Sequence, residues 1–448
     1  MRHLMATLLL AAVGILACSA PAPREAAPAS PSGADPEITA FIGKIRAVDN
    51  HSHPSSVAPD DSDQDALPLE VLLPFEVPVP LRPDNPDWLA AYRAVYEYPH
   101  ADMSDAHMNE LRGTMQGVAK QQGDKFPAWV LDKVGTEVLL ANRIAMGPGL
   151  ATPRFRWVSY VDPLMLPLSS KAEAATSPDR EKLFPFEDKL LQRYLSDLKI
   201  AKLPATLGAY LQTVVTPTLE AQQRGGCVAL KFEAAFLRSL DFDDAPASIA
   251  SAVYANHVGG AVPSPADYKA LQDFLFRYIA REAGRLGMAI HIHSLDGPGN
   301  FYRAAGADPL LLEPAFNDPT LRQTNFVIIH GGGVNAPRAG SMLWKPNVYA
   351  DMSAMTFLYT PRKLAEVLRD WLTQYPEKVL FGSDAAAFGP DQGWELTAWI
   401  STKNARAALA LALSAMIRDG EVTRARAEEI ATMVMRTNAG KLYQLKLE

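Results

Sequence analysis

The sequence is poor in cysteine and in net positive charge, and it has no long apolar run beyond its start. Only two cysteines, Cys18 and Cys227, occur among 448 residues, so at most one intrachain disulfide is possible. The formal charge of −7 argues against binding to nucleic acid or to an anionic membrane. After residue 20, no segment offers the ~20 consecutive apolar residues that cross a bilayer. The 48% of hydrophobic residues instead predicts a soluble protein with a large core.

The start of the chain has the pattern of an export signal. Arg2 and His3 precede an apolar run over residues 4–16, which is typical of a secretory signal peptide. The run leads into the letters ILAC, ending at Cys18. This segment resembles the bacterial lipobox, which implies that Cys18 receives lipid and becomes the mature N-terminus. Ordinary cleavage near Ala20, with Cys18 discarded, is the alternative. Both predict export to the cell envelope or periplasm, with membrane contact only through a lipid on Cys18.

Behind the signal, the chain divides into a linker and one domain. Residues 19–36 are rich in Pro, Ala and Ser and show no apolar periodicity, which predicts a disordered tether. We therefore expect residues 1–18 to be a signal peptide of lipoprotein type and residues 37–448 to be the functional domain. Cys227 opens an apolar segment, so we interpret it as a buried small hydrophobic residue rather than a nucleophile.

Within the domain, short apolar segments alternate with longer helical patterns. This alternation is typical of parallel βα units, and eight strands is the number that closes a (β/α)8 or TIM barrel. The predicted fold class is thus α/β, a TIM barrel with long insertions at about 54–135, after strand one, and 162–226, after strand three. The predicted strands are 44–51, 136–142, 155–161, 227–233, 288–293, 325–330, 347–353 and 378–384.

Two connecting helices have clear start signals. Ser264 followed by Pro265 predicts an N-cap, and Gly287 is expected to end that helix just before strand five. Thr360 followed by Pro361 predicts the start of a second helix, before strand eight. Both helices lead directly into a strand, as the outer helices of a barrel do.

Side chains that bind metals recur at the carboxyl ends of the predicted strands. In a closed barrel these ends converge on one spot, and imidazole and carboxylate are the ligands of a catalytic divalent metal. Each residue alone has an ordinary explanation, such as a core histidine, a helix cap or a surface lysine. The joint pattern favours a metal site. The set is His51 and His53 of strand one, Lys231 of strand four, His291 and His293 of strand five, His330 of strand six and Asp384 of strand eight.

Four of these segments resemble the strand motifs of the amidohydrolase superfamily. VDNHSHP resembles its first-strand motif, GMAIHIHSLDG its fifth, NFVIIHGGG its sixth and VLFGSDA its eighth. The closing TNAGKLYQL is similar to the tail helix of the amidohydrolase-related branch. The similarity spans roughly residues 40–445 and leaves out the two insertions. It implies a metal-dependent TIM-barrel hydrolase.

The resemblance also implies a role for each site residue. His51, His53 and Asp384 would bind a first divalent ion, and His293 and His330 a second. Lys231 falls where many members have a lysine carboxylated by CO2, whose carbamate bridges the two ions. The metal would normally be zinc, with one or two ions per chain. His291, one layer deeper, is expected either to support a metal ligand from behind or to form hydrogen bonds in the core.

The reaction implied is hydrolysis of an amide, ester or lactone-type bond in a small molecule by metal-activated water. Asp384 would accept the proton of the water and pass it to the leaving group. The same fold also serves metal-dependent decarboxylases and sugar-acid isomerases, which often use one ion. A lipoprotein that only binds a ligand or metal is the second alternative.

Several polar residues near the site have two interpretations. Glu233 either orients a ligand or faces solvent. Four others either hold a substrate carboxylate or form ordinary salt bridges at the barrel rim. These four are Arg143, Arg156, Tyr160 and Asp162.

Overall fold

The computed structural model describes residues 33–58 and 60–448. The predicted signal peptide, its Cys18 and the linker as far as residue 32 lie outside the described residues. The first helix, α1 (Pro36–Lys44), begins at the last residue of the predicted linker. Asp35 caps it, because its Oδ1 accepts a hydrogen bond of 2.8 Å from the N–H of Glu37. Among the described residues, no helix is long and apolar enough to cross a membrane.

Eight parallel strands form the centre of the molecule and are hydrogen-bonded in chain order. Backbone hydrogen bonds also join the first strand to the segment after the eighth. Asn50 N–H donates to Phe381 O over 2.8 Å, and Asp384 N–H donates to His51 O over 2.7 Å. The sheet therefore closes on itself, and the predicted TIM barrel is confirmed. The strands are β1 (Ala47–Ser52), β2 (Thr136–Asn142), β3 (Phe155–Tyr160), β4 (Cys227–Phe232), β5 (Ala289–His293), β6 (Phe326–Ile329), β7 (Val348–Asp351) and β8 (Val379–Leu380).

Helices surround the barrel and fill both long connections. The helices after α1 are α2 (Pro86–Tyr96), α3 (Asp105–Gln122), α4 (Phe126–Val134), α5 (Asp162–Met165), α6 (Lys171–Ala174), α7 (Pro178–Asp197), α8 (Leu207–Tyr210), α9 (Thr216–Arg224), α10 (Ala234–Leu237), α11 (Ala247–His257), α12 (Pro265–Arg285), α13 (Glu313–Phe316), α14 (Ala336–Met342), α15 (Met355–Leu358), α16 (Pro361–Leu372), α17 (Trp394–Arg418), α18 (Arg424–Thr432) and α19 (Asn438–Leu442). Single π-helical turns at Leu211–Val215 and Met433–Thr437 join α8 to α9 and α18 to α19.

The two helix starts read from the sequence are confirmed. The Ser264 hydroxyl accepts a hydrogen bond of 3.2 Å from the N–H of Asp267 at the start of α12. The Thr360 hydroxyl accepts one of 3.3 Å from Lys363 at the start of α16. Gly287 follows α12 with φ of +72°, a conformation that glycine adopts without steric cost and that ends a helix.

The C-terminal segment closes one end of the barrel. A buried cluster inside the barrel combines early strand residues such as Val48 and Ala289 with Ala439 and Tyr443 from the tail. The Tyr443 hydroxyl donates to Asn50 Oδ1 and lies 2.7 Å from His291 Nε2. The tail therefore covers the end of the barrel opposite His53 and Asp384, and the carboxyl ends of the strands stay available for a site.

Strands β6 and β8 end earlier than predicted, at Ile329 and Leu380. At β8, the next N–H, that of Phe381, donates to Val434 O of the C-terminal segment. At β6, His330 follows directly with φ of +65°, and a left-handed residue cannot continue an extended strand. Asp384, four residues after β8, also has a positive φ, of +56°. Such conformations cost about 1–3 kcal/mol each and persist where the surrounding structure enforces them, which is common at functional sites.

Gly331, directly after His330, lets the backbone at the end of β6 lie close to buried groups of α16 and β7. Its φ is +54°, and a Cβ atom placed there would lie 2.4 Å from the Trp371 ring and 2.8 Å from Asp351 O. Any side chain would push α16 and β7 away from the end of β6. The glycine therefore lets His330 sit against β7, where its backbone N–H donates to Asp351 Oδ1 over 2.8 Å.

Candidate metal centre

Three of the predicted ligands converge at the carboxyl end of the barrel. His51 Nε2 lies 3.1 Å from Asp384 Oδ1, and His53 Nε2 lies 3.4 Å from the same oxygen. One donor atom from each of the three residues falls within 4.8 Å of the others. The turn at Asp384 brings its carboxylate over the end of β1, because its N–H donates to His51 O.

His51 occupies the deepest position of the three. Its side chain is fully buried, with Nδ1 2.8 Å from Asn142 Nδ2 of β2 and Nε2 3.3 Å from Lys231 Nζ of β4. Burial and then the neighbouring Lys231 cation lower the pKa of His51 well below its usual value. The imidazole is therefore neutral, which is the form that binds a metal ion.

His53 lies nearer the mouth of the barrel and is held by two residues. Its Nδ1 is 3.1 Å from Asp65 Oδ2 and 3.2 Å from the Tyr160 hydroxyl. Burial opposes its charged form, but the carboxylates of Asp65 and Asp384 outweigh burial and raise the pKa of His53 to about 10. The two carboxylates thus create a strongly negative environment at this imidazole, and the same environment attracts a metal cation.

His293 and His330 form a second pair beside the first three residues. His293 Nδ1 lies 3.1 Å from His330 Nε2, while His293 Nε2 faces Leu295 O at 3.1 Å. His330 Nδ1 is 2.9 Å from the Ser353 hydroxyl and 3.9 Å from Asp384 Oδ2. In each ring, one nitrogen therefore contacts a hydrogen-bonding group of a neighbouring residue, and the other nitrogen points at the second imidazole.

Lys231 reaches the site from β4 and is fully buried. Its hydrogen-bond contact among the described residues is His51 Nε2 at 3.3 Å, and no carboxylate of the described part lies within ion-pair distance of its Nζ. The carboxyls of Asp65, Asp162 and Glu233 interact with it electrostatically at longer range. Lys231 is therefore a buried cation without a close ion pair, an arrangement that is costly in a protein interior.

The spacing of the donor atoms fits bound metal. Two ligand atoms about 2.1 Å from one tetrahedral zinc ion are roughly 3.4 Å apart. The distances from Asp384 Oδ1 to the Nε2 atoms of His51 and His53, 3.1 and 3.4 Å, match this value. The 3.1 Å between the facing nitrogens of His293 and His330 is similar. The donor set suits a divalent ion at the first three residues and allows a second between the paired rings.

Acidic residues below the site hold its loops in place. Asp351, at the end of β7, accepts hydrogen bonds from Asn50 Nδ2 at 2.8 Å and from the Ser353 hydroxyl at 2.7 Å. Asp49 of β1 accepts a hydrogen bond of 2.9 Å from the N–H of Ser383, just before Asp384. Burial raises the pKa of Asp49 to about 7 and that of Asp351 to about 6. These carboxyls orient the loops that end in His330 and Asp384.

The other candidates from the sequence are not part of the group formed by His51, His53 and Asp384. His291 is buried and contacts Tyr443, which confirms its predicted place in the core. Glu233 is only 5% exposed and its Oε2 has no hydrogen-bond partner, so the solvent-facing alternative is wrong. Arg143 is fully buried in an ion pair of 2.5 Å with Asp61, which favours a structural role in the first insertion. Cys227 is buried as expected, and burial raises its thiol pKa to about 12.

Two residues that hold the ligands had no sequence signal. Asp65 lies in the first insertion, 12 residues beyond His53, where no periodicity or motif marks it. Asn142 is the last residue of β2 and reads as an ordinary strand end. Asp351 could have been found, because it lies near the end of a predicted strand whose carboxyl end faces the same site. Tyr160 and Asp162 were recognised as candidates, and Tyr160 does contact His53. The role of Arg156 stays a prediction.

Replacing Asp65 should weaken metal binding. In Asp65→Asn, His53 loses the carboxylate that orients its ring and makes it a better ligand, so we expect metal affinity to fall by about 10–100-fold. The measurement is competition for the metal with a chelator of known affinity. Asp63→Asn is the matched control, since Asp63 pairs with the exposed Arg193 and does not contact a ligand. Equal affinities in the two variants would show that Asp65 does not support His53.

Comparison with known proteins finds a family model that matches part of the chain. Residues 224–445, which include β4 to β8, match the sequence model of the amidohydrolase family. With the barrel and the strand-end residues described above, this match supports an amidohydrolase-superfamily enzyme. A search of curated proteins finds no match.

Solved structures share the fold at low sequence identity. A protein from Lactobacillus casei described as a metal-dependent hydrolase is 14% identical, with a TM-score of 0.56 over 91% of this chain and 97% of its own. A uronate isomerase from Thermotoga maritima is 15% identical, with a TM-score of 0.59 over 91% and 96%. A glucuronate isomerase from Caulobacter crescentus is 15% identical, with a TM-score of 0.58 over 92% and 94%. At such identities the likeness shows the fold.

Proposed function

We propose that the protein is a metal-dependent hydrolase that cleaves an amide, ester or lactone-type bond of a small molecule. The observation that supports this most is the convergence of His51, His53 and Asp384 within 4.8 Å. Two imidazoles and one carboxylate make three protein ligands, which is the number in many catalytic zinc sites that keep a position open for water. We therefore propose zinc as the metal.

A divalent ion held there supplies Lewis acidity, which polarises a carbonyl and lets water lose a proton near neutral pH. Asp384 is suited to move that proton. Its Oδ1 faces the two histidines, while its Oδ2 points toward His330 at 3.9 Å. Its side chain is 18% exposed, whereas the His51 side chain is fully buried. The carboxylate is therefore the most exposed member of the trio, since the His53 side chain is 10% exposed, and it is placed to accept a proton and return it to a leaving group.

The proposal includes a second ion between His293 and His330, with Lys231 carboxylated. The facing nitrogens of the two rings have ligand spacing. Lys231 lies beside His51, so a carbamate on its Nζ would supply oxygens to the same space. Carboxylation would also replace a buried cation with an anion between positive ions.

Export and lipid attachment remain part of the proposal. The apolar run over residues 4–16 and the ILAC segment support delivery to the cell envelope. A tether behind a lipidated Cys18 would hold the barrel near a membrane surface. The metal would then be acquired in that compartment, or the protein would arrive there with it.

A substrate screen on metal-loaded protein tests the hydrolase proposal. We expect turnover of at least one compound among amides, cyclic imides, lactones, dipeptides and esters, and loss of that turnover by a factor of about 10³ or more in Asp384→Asn. Release of the product amine, acid or alcohol is the readout. Asp391→Asn is the control, because Asp391 pairs with Arg112 outside the ligand group. Turnover that survives in Asp384→Asn would contradict the proposed role of Asp384.

A sugar-acid isomerase is the second candidate. The observation in its favour is that the first three ligands form a group by themselves within the described residues, as a one-ion enzyme requires. Two of the structural neighbours are named as uronate or glucuronate isomerases. Incubation with hexuronates, followed by detection of the ketose product, separates this candidate from hydrolysis. A metal-dependent decarboxylase would be recognised by CO2 release from aromatic acids.

A further inference from the structure

A cavity lies beside the metal centre, at the start of α7. Its volume is about 380 Å3, and its lining is Thr176, Ser177, Arg180, Phe301, Tyr302 and Arg303. The lining comes from the second insertion and from the loop after β5, both on the side of the barrel where the histidines lie. Two of the six residues are arginines, so the cavity is positively charged.

The cavity adjoins the metal centre through two aromatic residues. The Tyr302 hydroxyl donates to Leu295 O over 2.6 Å, and the same carbonyl oxygen is 3.1 Å from His293 Nε2. The Phe236 ring packs 4.7 Å from the His293 ring and 5.1 Å from the Tyr302 ring. A single residue layer therefore separates the cavity wall from a candidate metal ligand.

The two arginines have no acidic partner. Within the described part of the chain, neither the Arg180 nor the Arg303 guanidinium lies within 4.0 Å of a carboxylate oxygen. Arg180 donates through Nη1 to Thr176 Oγ1 at 3.2 Å, which leaves its other N–H groups available. Burial and then the neighbouring Arg303 cation lower the pKa of Arg180, and the Glu173 carboxylate opposes them only in part, so the positive charge of Arg303 outweighs the acidic group near Arg180. Asp179 is also near, but its Oδ2 accepts the N–H of Phe301 at 2.7 Å.

Ser177 provides an independent indication that this cavity is a binding site. It occupies the N-cap position of the 20-residue helix α7 but makes no side-chain capping hydrogen bond. Its Oγ is buried and has no hydrogen-bond partner, although buried polar atoms in proteins almost always have one. The helix start itself adds little attraction for an anion, because Pro178 has no N–H and the first turn carries the acidic Asp179 and Glu181.

We propose that Ser177, Arg180 and Arg303 bind an anionic group of the substrate, a carboxylate or a phosphate. Guanidinium groups bind both through paired charge-assisted hydrogen bonds. The proposal rests on the proposed function in one respect, namely that the bond acted on lies at the metal centre. It narrows the substrate class to small molecules that carry an anionic group next to the bond that is cleaved. The cavity would then determine specificity for this group.

Calorimetric titration of the metal-loaded protein with inorganic phosphate and, separately, with succinate tests the proposal. We expect wild type to bind at least one of the two, and Arg180→Gln to bind it about tenfold or more weakly, since charge-assisted hydrogen bonds are lost. The Arg180→Gln/Arg303→Gln double variant should show only the binding that the metal ions themselves provide. Arg418→Gln is the control, because it removes the same charge from an exposed site on α17.

The outcomes separate the two anions and the two proposals. Arginine-dependent binding of phosphate alone indicates a phosphate ester as substrate, and of succinate alone a carboxylate. Equal affinity of wild type and the double variant for both probes overturns the anion site, whatever the metal content. A wild-type protein without metal that still binds a probe through the arginines contradicts the proposed function and supports the anion site. Unchanged metal content in the arginine variants is the check that the centre itself is intact.

Discussion

His51→Ala is expected to lose its first metal ion and its activity. His51 Nε2 is the deepest donor of the trio, and alanine leaves only His53 and Asp384 to hold that ion. Loss of one of three protein ligands should lower the occupancy of the first ion to roughly a tenth of wild type or less after dialysis, so the total content falls by about one ion per chain, and turnover falls with it. Elemental analysis of purified protein measures the content, and the screened substrate measures turnover.

The control for this variant is His107→Ala, because His107 lies on α3 and pairs with Asp102, away from the ligands. Circular dichroism and the thermal midpoint of both variants separate metal loss from misfolding, since His51 is buried and its truncation leaves a cavity. Wild-type protein that contains no metal, or His51→Ala protein that keeps its full content, would contradict the proposed centre.

Replacing Lys231 is expected to have the second largest effect. Wild type should contain about two divalent ions per chain, and Lys231→Met about one at most, because the carbamate that joins the ions is gone. Methionine has nearly the volume of lysine, so the buried site stays filled. Turnover should fall by roughly 10² or more, the size of effect seen when a group that fixes a metal site is removed. Metal analysis and kinetics provide the two readouts.

A rescue experiment distinguishes carbamate from amine at Lys231. In Lys231→Ala, the space left by the side chain admits a small carboxylate, so added acetate or propionate should restore part of the metal content and of the turnover. Lys120→Ala, at an exposed position of α3, serves as the control. If wild type and Lys231→Met both contain one ion, Lys231 is an uncarboxylated amine. That result would favour the one-ion sugar-acid isomerase over the hydrolase.

Local sequence was sufficient for the elements that surround the site. Ser264 and Thr360 cap their helices as predicted, because capping depends on residues three positions apart. The strands were found because both faces of a parallel barrel strand are buried and read as continuous apolar runs. The ends of β6 and β8 were placed too late, since the left-handed turn at His330 is enforced by packing against β7 and the Phe381 N–H bonds to Val434 of the distant C-terminal segment.

The supporting contacts could not be predicted in the same way. Asp65 reaches His53 from an insertion without periodicity, and nothing in its neighbourhood distinguishes it from Asp61 or Asp63. The path of the tail is of the same kind, because Tyr443 enters the interior of the barrel and contacts His291. Both facts depend on contacts between residues far apart in the chain.

The sequence by itself determined the barrel and the residues able to bind metal, because strand pattern and residue type are local properties. His51, His53 and Asp384 could be named on that basis. Tertiary structure decided how they are used. It placed Asp384 Oδ1 between the two imidazoles and set Lys231 beside His51. Among the residues that the structure describes, it also left Arg180 and Arg303 without an ion pair near the centre. These relations are distances between strand ends and insertions, and only the closed barrel fixes them.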